Sequence, residues 1–367
     1  MTPPSGTPLS IPGAKDARDQ LCAARIEPIY DPRIWGTRKL SPLFPDPPAD
    51  SNPIGEVWLT GDECRFASGP FAGRKLGEAW NELPVEWTGT HQRGRLRIPL
   101  LAKFIYAEEY LSVQVHPDDE YASRHEQNAG GLGKTEMWYV IAARFGAELR
   151  VGLRPDVTRE SFARAIREGS ADRDLVSLPV REGDAVFVPA RTAHTIGPGL
   201  LLCEIQENSD ITYRVYDYNR LGPDGKPREL HVEKALEVLR FGEQIGGRVA
   251  PVHLASENGD RSLLVACRYF AVERWAVASP CDSKTSLKRY ELLIGIEGAG
   301  KLASRGESAD YTAGQTWFLP AALGEYKILP SVASTFLRAY TPDLATLDRE
   351  LTAQGVDAAA RSKVVFA

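Results

Sequence analysis

The sequence predicts a mainly β protein that consists of two β-barrel units with a few peripheral helices. Stretches typical of β-strands dominate the chain, and its 32 glycines and 26 prolines suit turns between strands better than helix interiors. One strand-like pattern also occurs twice. The chain has 367 residues, which at roughly 150 residues per domain suggests two domains or one large one. We predict a first domain over 21–245 and a second over 260–367, after a lead-in over 1–20 that is rich in Pro, Ser and Gly and is expected to be disordered.

The composition excludes several classes of protein. Lys and Arg number 44 against 49 Asp and Glu, for a net charge of -5, and no basic stripe marks a nucleic-acid binder. The five cysteines form no close-spaced pair, which argues against a disulfide scaffold or a thiolate zinc site. No apolar run reaches the roughly 18 residues of a membrane span, and the N-terminus does not resemble a signal peptide. We therefore expect a cytoplasmic protein with neither a nucleic-acid nor a membrane partner.

Closely spaced strand patterns fill the first half of the chain. Residues 98–116 (IPLLAKFIYAEEYLSVQVH) hold two apolar stretches and predict a hairpin or two neighbouring strands. Further apolar and β-branched stretches predict strands at 137–142, 185–190, 200–206 and 211–218. Strands this close together, separated by Gly or Pro, are typical of an antiparallel sandwich or barrel.

Three segments predict helices. Residues 158–168 carry apolar side chains at helical spacing, with Thr158 as the N-cap and Gly169 as the stop. Residues 232–240 predict a second helix, and residues 118–126 predict a third.

The last third of the chain returns to strand patterns, namely RYFAVERWAV, YELLIGIEG, QTWFLPA and TFLRAY, after a crossing at 241–262. Residues 183–190 (GDAVFVPA) and 314–321 (GQTWFLPA) share four identities. Because both stretches lie among strands, they favour a duplicated β-barrel unit.

His116 closes the strand pattern LSVQVH. Because side chains alternate along a strand, Ser112, Gln114 and His116 share one face. Such a face is either exposed to solvent or lines a polar cavity, and alternation alone does not distinguish the two.

The segment GKTEMWYVI brings charge into a hydrophobic strand pattern. Lys134 and Glu136 fall on one face together with Trp138. Taken alone, the two charged residues are typical of a simple surface ion pair.

The segment LCEIQENSDITYRVYDY predicts a strand with one wholly polar face, either exposed or lining a hydrophilic cavity. The polar residues of equal parity are Glu204, Gln206, Asn208, Asp210, Thr212, Arg214 and Tyr216. Asp210 and Arg214 are placed to pair across that face.

His194 lies five residues after Pro189 in GDAVFVPARTAH. This spacing resembles the second motif of the cupin superfamily, in which a metal-binding His follows Gly, five residues and Pro. Arg191 stands where that motif usually has a Gly. In the second copy of the repeat, the position that matches His194 is Glu325.

The candidate metal ligands are Gln114, His116, Glu136 and His194. Two imidazoles, a carboxylate and an amide oxygen suit zinc or another borderline divalent metal. Three firm ligands plus an open position are typical of a catalytic site rather than a structural one.

Together these segments resemble type I mannose-6-phosphate isomerases (phosphomannose isomerases) in their compact bacterial form. The matching stretches are IPLLAKFIYAEEYLSVQVHPDDEYA, GKTEMWYVI, GDAVFVPARTAHTIGPGLLLCEIQENSDITYRVYDYNR and GKPRELHVEKAL, with WGTRKL and IGEVW nearer the N-terminus. The resemblance covers residues 27–240 closely and 265–340 more loosely. It implies two cupin-type (jelly-roll) β-barrel units, of which the first is catalytic and binds the metal. Because the second copy of the repeat has Glu325 in the place of His194 and no His follows His253, we predict that the second unit is degenerate, holds no metal and supports the first structurally.

The resemblance also implies an activity: zinc-dependent interconversion of mannose 6-phosphate and fructose 6-phosphate through a cis-enediol, with one zinc ion per chain. The family's metal ligands fall on the four residues above. Its active-site arginine falls on Arg214, with Asp210 four residues before it, and its lysine beside the acidic ligand falls on Lys134. We expect Lys134 to have a lowered pKa beside a metal and to act as acid or base. The candidate contacts to the phosphate are Ser112, Lys103 and Arg191.

The chain departs from the longer family members in two ways. Gly133 stands where those members have a His, so a mechanism that requires that His cannot operate here. The segment between Glu136 and His194 lacks their helical insertion. The sequence does not identify the general base. Two alternative functions also stay open: another metal-dependent cupin enzyme such as a dioxygenase, and a non-catalytic sugar-phosphate-binding cupin. The expected partner is a small sugar phosphate, and the chain is expected to be a monomer or homodimer.

Overall fold

The computed structural model describes residues 20–46, 52–222, 224–243, 245–256 and 259–366. The predicted lead-in over 1–20 lies, apart from Gln20, outside these residues. Strands dominate the described ranges, which confirms the mainly β prediction. Within the same ranges, no helix is both long and apolar enough to cross a membrane.

Strands β1 to β14 run through the first two thirds of the chain. They are β1 (Ala24–Glu27), β2 (Ile29–Thr37), β3 (Ile54–Trp58), β4 (Arg65–Phe66), β5 (Leu100–Ala107), β6 (Val113–Val115), β7 (Glu136–Ala143), β8 (Glu148–Leu153), β9 (Leu175–Pro179), β10 (Ala185–Val188), β11 (His194–Ile196), β12 (Leu200–Glu207), β13 (Tyr213–Tyr216) and β14 (Gly247–Arg248). The strands of the last third are β15 (Val252–Leu254), β16 (Asp260–Cys267), β17 (Ala271–Val277), β18 (Cys281–Lys284), β19 (Glu291–Ser304), β20 (Glu307–Thr312), β21 (Thr316–Leu319), β22 (Glu325–Tyr340) and β23 (Val365–Phe366).

The helices are short and lie between strands. They are α1 (Leu76–Trp80), α2 (Val85–Thr88), α3 (Asp119–His125), α4 (Arg159–Arg167), α5 (Val232–Val238), α6 (Leu344–Ala353) and α7 (Ala358–Arg361), with short 3-10 helices at Thr90–Gln92, Gln127–Ala129 and Ala171–Asp174. The three predicted helices correspond to α3, α4 and α5. Thr158 caps α4 by accepting a hydrogen bond from Ser161 N, and Gly169 follows with a φ of 68°, as the sequence predicts.

Three sheets organise the strands. A seven-stranded sheet has the order β14-β10-β7-β12-β5-β3-β2, and a five-stranded sheet has the order β13-β6-β11-β8-β9. The strands from β15 onward form an eleven-stranded sheet together with β1 and β4, with β21 pairing antiparallel with β1. Among the described strands, none of the three orders closes on itself through hydrogen bonds. The closure of two jelly-roll barrels and the domain boundaries therefore stay predictions.

The segment 98–116 forms two strands, but they are not a hairpin. β5 pairs with β3 and β12 in the seven-stranded sheet, whereas β6 pairs with β11 and β13 in the five-stranded sheet. All eight residues of β5 are buried. β5 thus lies between β12 and β3 with both faces covered, and the chain crosses to the other sheet before β6 begins.

The segment 202–218 likewise divides between the two sheets, into β12 and β13, so it does not have one continuous polar face. Gln206 is buried and donates to the Glu207 carbonyl at 3.0 Å. Asn208 donates to Asp62 Oδ1 at 3.0 Å. The prediction of a single polar face is wrong for these two residues, because the strand ends between them and Arg214.

Candidate metal centre and active site

Three buried side chains converge where the seven-stranded and five-stranded sheets approach each other. Glu136 is the first residue of β7, His194 is the first residue of β11, and His116 directly follows β6. Glu136 Oε1 lies 3.3 Å from His194 Nε2, and Glu136 Oε2 lies 3.6 Å from His116 Nε2. Their ligand atoms all lie within 4.8 Å of one another, and the three form the only such group of His, Cys, Asp and Glu among the described residues.

Backbone carbonyls orient both imidazoles. His116 Nδ1 lies 2.8 Å from Ile211 O, and His194 Nδ1 lies 2.9 Å from Thr192 O. A carbonyl oxygen only accepts, so each Nδ1 carries the hydrogen and each Nε2 directs a lone pair toward Glu136. Burial lowers the pKa of His194 to about 4 and that of His116 well below its usual value. Both rings are therefore neutral at pH 7, which is the form that binds a metal.

Gln114 completes the predicted set of four. It pairs with His194 in the register of β6 and β11, and its Nε2 lies 3.2 Å from His194 Nε2. Its side-chain oxygen accepts a hydrogen bond from Ser112 Oγ at 3.3 Å. The structure thus brings all four candidate ligands together. Ser112 and His116 are buried, so the solvent-exposed alternative for this face is wrong.

The residues present fit a borderline divalent metal. His116 Nε2 and Glu136 Oε1 are buried without a hydrogen-bond partner. Such atoms are costly to leave unpaired, and they are the atoms that point into the cluster. Two imidazole nitrogens and a carboxylate oxygen, with an amide beside them, match the donor set expected for zinc.

Lys134 lies against this cluster and is buried. Its Nζ is 3.1 Å from Glu136 Oε2 and 3.7 Å from Glu204 Oε1, and Glu204 also accepts a hydrogen bond from Trp138 Nε1 at 2.9 Å. The interpretation of Lys134 and Glu136 as a surface pair is therefore wrong. Burial alone would lower the pKa of Lys134, but Glu136 and Glu204 raise it above its usual value. Two buried carboxylates thus face the ammonium group, and the lowering expected beside a bound metal stays a prediction.

A cavity of about 780 Å³ opens in front of the cluster. Gln114 and Lys134 form part of its wall, and the sequence-predicted residues that also line it are Ser112, Lys103, Asp210, Thr212, Arg214 and Glu204. Residues of the predicted polar faces thus line a cavity rather than the solvent-exposed surface, and apolar side chains such as Ile105 and Leu111 complete its wall.

Lys103 is the most enclosed cation of this cavity. Its Nζ lies 3.0 Å from Asp210 Oδ1 and 3.3 Å from Glu56 Oε2, and it stands 4.4 Å above the Trp58 ring. Burial disfavours its charge, but Glu56 and Asp210 raise the pKa of Lys103 well above its usual value. Asp210 thus pairs with Lys103, and the predicted pair of Asp210 with Arg214 is wrong.

Arg214 lies on β13 and faces the cavity with few partners. Its Nη1 donates to Glu229 O at 3.0 Å, and its buried Nε has no partner. Its backbone N–H donates to His231 Nδ1 at 3.3 Å. Burial and the nearby Arg228 lower its pKa. A guanidinium with free donors in a polar cavity is available to an anionic ligand.

Arg191 is not part of the cavity wall. Its Nε donates to Val238 O at 2.8 Å, at the end of α5, and its Nη1 lies 3.4 Å from Asp118 Oδ2. Its backbone has a φ of 72°, the left-handed conformation that favours glycine, which explains why the cupin motif usually has Gly here. The predicted phosphate contact is wrong, because this turn directs the side chain toward α5 and α3.

Several cavity residues were not singled out from the sequence. Glu56, Arg228 and His231 line the same cavity. The segments that contain them, IGEVW and GKPRELHVEKAL, belong to the stretches that carry the family resemblance, so this resemblance could have found them. Their position in the cavity wall depends on contacts between segments that are distant in the chain, and the periodicity of side chains along one strand does not reveal such contacts.

The second copy of the repeat has a similar local geometry. Val188 at the end of β10 pairs with Glu136, and Leu319 at the end of β21 pairs with Glu291. Glu291 is therefore the register counterpart of Glu136, and it is also fully buried. There, however, Arg338 Nη2 lies 2.9 Å from Glu291 Oε1. A guanidinium of the chain itself thus neutralises this carboxylate.

The counterpart of His194 is one residue later than the sequence alignment of the two copies predicts. His194 pairs with Gln114. We match Tyr326 to His194 because it is buried near Glu291, and Tyr326 pairs with Ser283. Tyr326 is buried, whereas Glu325 is exposed. A phenol and a hydroxyl thus stand in the places of an imidazole and an amide.

Comparisons with known proteins identify the family of the chain. A family model for the type I phosphomannose isomerase catalytic domain matches residues 24–136, and one for the mannose-6-phosphate isomerase cupin domain matches residues 261–333. The chain is 37% identical to mannose-6-phosphate isomerase ManA of Bacillus subtilis over 310 residues, which cover 83% of this chain and 94% of that protein. It is 33% identical to mannose-6-phosphate isomerase of Streptococcus mutans over 297 residues, which cover 80% and 91%.

Solved structures give the same result. The crystal structure of mannose 6-phosphate isomerase from Bacillus subtilis matches with a TM-score of 0.79 at 30% identity, over 86% of this chain and 99% of that chain. A mannose 6-phosphate isomerase bound with zinc and yttrium matches with a TM-score of 0.67 at 16% identity, over 87% and 99%. At that lower identity the likeness concerns the fold.

Proposed function

The chain belongs to the type I mannose-6-phosphate isomerase family, and from this premise we propose that it interconverts mannose 6-phosphate and fructose 6-phosphate with one zinc ion per chain. The observation that carries the proposal is the buried group of His116, Glu136 and His194, in which ligand atoms of His116 and Glu136 are unpaired. This group lies next to Gln114 and Lys134, which line a cavity that also presents cations. Gln114 would contribute the fourth ligand. Turning its amide over would direct the oxygen toward the metal and would replace its present contacts, the hydrogen bond from Ser112 Oγ and that from its own Nε2 to His194 Nε2.

The reaction moves a proton between C1 and C2 of the open-chain sugar through a cis-enediol. When bound, zinc would polarise the sugar oxygens at these carbons and offset the charge that develops on them. Glu136 and Glu204 face the ammonium group of Lys134 and favour its charged form. This ammonium group can therefore donate a hydrogen bond to an oxygen of the enediolate beside the metal.

The other cavity residues would orient the sugar phosphate. Arg214 presents free donors toward the cavity, so we assign it to the stabilisation of negative charge during the proton transfer. Lys103 holds Asp210 in place at 3.0 Å, and Asp210 remains half-exposed at the cavity wall, where a sugar hydroxyl can reach it. Ser112 and Lys103 remain the proposed contacts to the substrate.

We further propose that the second unit holds no metal. Arg338 already neutralises Glu291, and Tyr326 stands in the place of His194. A divalent ion would have to displace a guanidinium from a buried ion pair, and it would gain no imidazole ligand in return.

A coupled isomerase assay together with metal analysis tests the proposal. We expect turnover of mannose 6-phosphate that a chelator removes and added zinc restores, with about one zinc per chain. Iron content with oxygen uptake would instead favour the dioxygenase-like alternative. Sugar-phosphate binding without turnover in the zinc-loaded protein would favour the non-catalytic one.

A further inference from the structure

The backbone that leads into Glu136 is held in an unusual way. Gly133, Lys134 and Thr135 are three consecutive residues before β7, and each donates its N–H outside the strand ladders. Gly133 N donates to Asp119 Oδ1 at 2.9 Å, Lys134 N to Pro117 O at 3.0 Å and Thr135 N to Glu207 Oε1 at 2.8 Å. This segment carries Lys134 and leads directly into the proposed metal ligand Glu136, so its position sets the geometry of the site.

Asp119 is the member of this arrangement that connects the two units. It is the first residue of α3, and its second oxygen, Oδ2, accepts hydrogen bonds from Tyr269 OH at 2.8 Å and from Arg268 Nη2 at 2.7 Å. Arg268 and Tyr269 form the turn between β16 and β17. One carboxylate thus joins a turn of the C-terminal unit to the amide of Gly133, immediately before Lys134.

The close approach depends on glycine. A Cβ at Gly133 would lie 2.5 Å from Asp119 N and 2.6 Å from Asp118 C, closer than any side chain tolerates. Although burial would raise the pKa of Asp119, the hydrogen bonds from Gly133, Tyr269 and Arg268 lower it. Asp119 is therefore an anion, which makes each of these hydrogen bonds charge-assisted.

We propose that Asp119 is a positioning residue: held by Arg268 and Tyr269, it fixes the segment from Gly133 to Glu136 and so maintains the metal-binding geometry. This inference rests on the proposed function and gives the C-terminal unit a role in it. Residues that orient metal ligands from outside the coordination sphere typically alter metal affinity or activity 10–100-fold when replaced.

The test compares Asp119→Ala and Asp119→Asn with the wild-type protein, each loaded with zinc. The first readout is the rate of zinc release to a chelator in the absence of sugar, and the second is the separate effect on kcat and KM. We expect Asp119→Ala to release zinc at least about tenfold faster and to lower kcat more than it raises KM. Asp119→Asn keeps an oxygen for Gly133 N, so it should recover much of the loss.

Arg124→Ala is the matched control. Arg124 lies on α3, like Asp119, and forms an ion pair with Glu120 at 2.6 Å in which both side chains are exposed. Its loss should change neither zinc release nor kcat. A purely structural role of Asp119 would lower the melting temperature and leave both readouts at wild-type values, and this result would overturn the proposal.

The double variant Arg268→Ala, Tyr269→Phe tests the positioning role of Asp119 even if Asp119→Ala does not fold. Both residues belong to the turn between β16 and β17, and their replacement removes the contacts to Asp119 Oδ2 while every residue of α3 stays the same. Faster zinc release supports the proposal, and unchanged release and kcat contradict it. Wild-type protein that holds no zinc would contradict the proposed function itself, whereas zinc-loaded wild type with unaffected variants would contradict this inference alone.

Discussion

The variant Arg214→Ala distinguishes a catalytic role of Arg214 from a structural one, because the two roles predict losses of turnover of very different size. The guanidinium makes one hydrogen bond, to Glu229 O, and its Nε has no partner. Its removal should therefore lower the free energy of unfolding by about 1 kcal/mol, the usual contribution of one hydrogen bond. The hydrogen bond to His231 comes from the backbone N–H of Arg214 and survives the substitution.

The expected effect on turnover is larger. Loss of one preorganised donor to developing negative charge typically lowers turnover ~10²–10³-fold, about 2.7–4 kcal/mol. Arg214→Lys keeps a positive charge but loses the planar, multiply donating group, so we expect it to recover only part of the rate. A structural role predicts nearly intact turnover in both variants.

The assay is the coupled isomerisation of saturating mannose 6-phosphate, accompanied by zinc content and melting temperature. Arg150→Ala serves as the control, because Arg150 lies in the same five-stranded sheet and pairs with Glu148 at 2.8 Å and Asp172 at 2.7 Å, away from the cavity wall. It should lower the melting temperature and spare turnover. A folded, zinc-loaded Arg214→Ala protein with wild-type turnover would refute the assignment.

Further predictions concern the metal, the substrate contacts and acid stability. His116→Ala and His194→Ala should each lose zinc and activity, and retention of stoichiometric zinc by purified His194→Ala would contradict the ligand assignment. Elemental analysis of the wild-type protein should find about one zinc per chain, and a second tightly bound ion would show that Arg338 does not exclude metal from the second unit. Arg191→Ala should lower the melting temperature while kcat/KM stays unchanged, since the Arg191 side chain contacts the end of α5 and the start of α3. A large rise in KM would show instead that Arg191 contributes to substrate binding. Burial alone would raise the pKa of Glu56, but Lys103, Arg33 and Trp58 lower it to about 2. Its stabilising contribution, on the order of 3 kcal/mol, is present above the unfolded-state pKa of about 4.5 and is lost as the pH falls toward 2. In urea titrations, Glu56→Gln should therefore be less stable than wild type at pH 6 and lose less of its stability on acidification, and parallel curves would exclude this contribution.

Local patterns sufficed to identify many of the site residues. The alternation around His116 and Glu136 placed each on a defined face, and the spacing from Pro189 to His194 identified the second imidazole. Their convergence could not be derived from alternation, because the residues come from strands of two different sheets. The family resemblance supplied this step, and the distances between Glu136 and the two histidines agree with it.

The wrong predictions have the same cause: a local pattern does not show which distant segments pack against a residue. Lys134 and Glu136 have the pattern of a surface pair, yet both are buried, because burial depends on what covers a strand. Arg191 has the residue type of a phosphate contact, yet a left-handed turn directs it elsewhere. Asp210 shares strand parity with Arg214 but pairs with Lys103, which lies on β5 in the other sheet.

The sequence by itself determined the mainly β class, the approximate positions of most strands and three helices, and the chemical types in the metal site. These depend on interactions between near neighbours in the chain, such as side-chain alternation, helix capping and turn formation. Only the tertiary structure decided which faces are buried, which charges pair and how Asp119 connects the second unit to Gly133. Those outcomes depend on contacts between segments far apart in the chain, where the free energy of a buried charge is set by the partners that packing brings within a few ångströms.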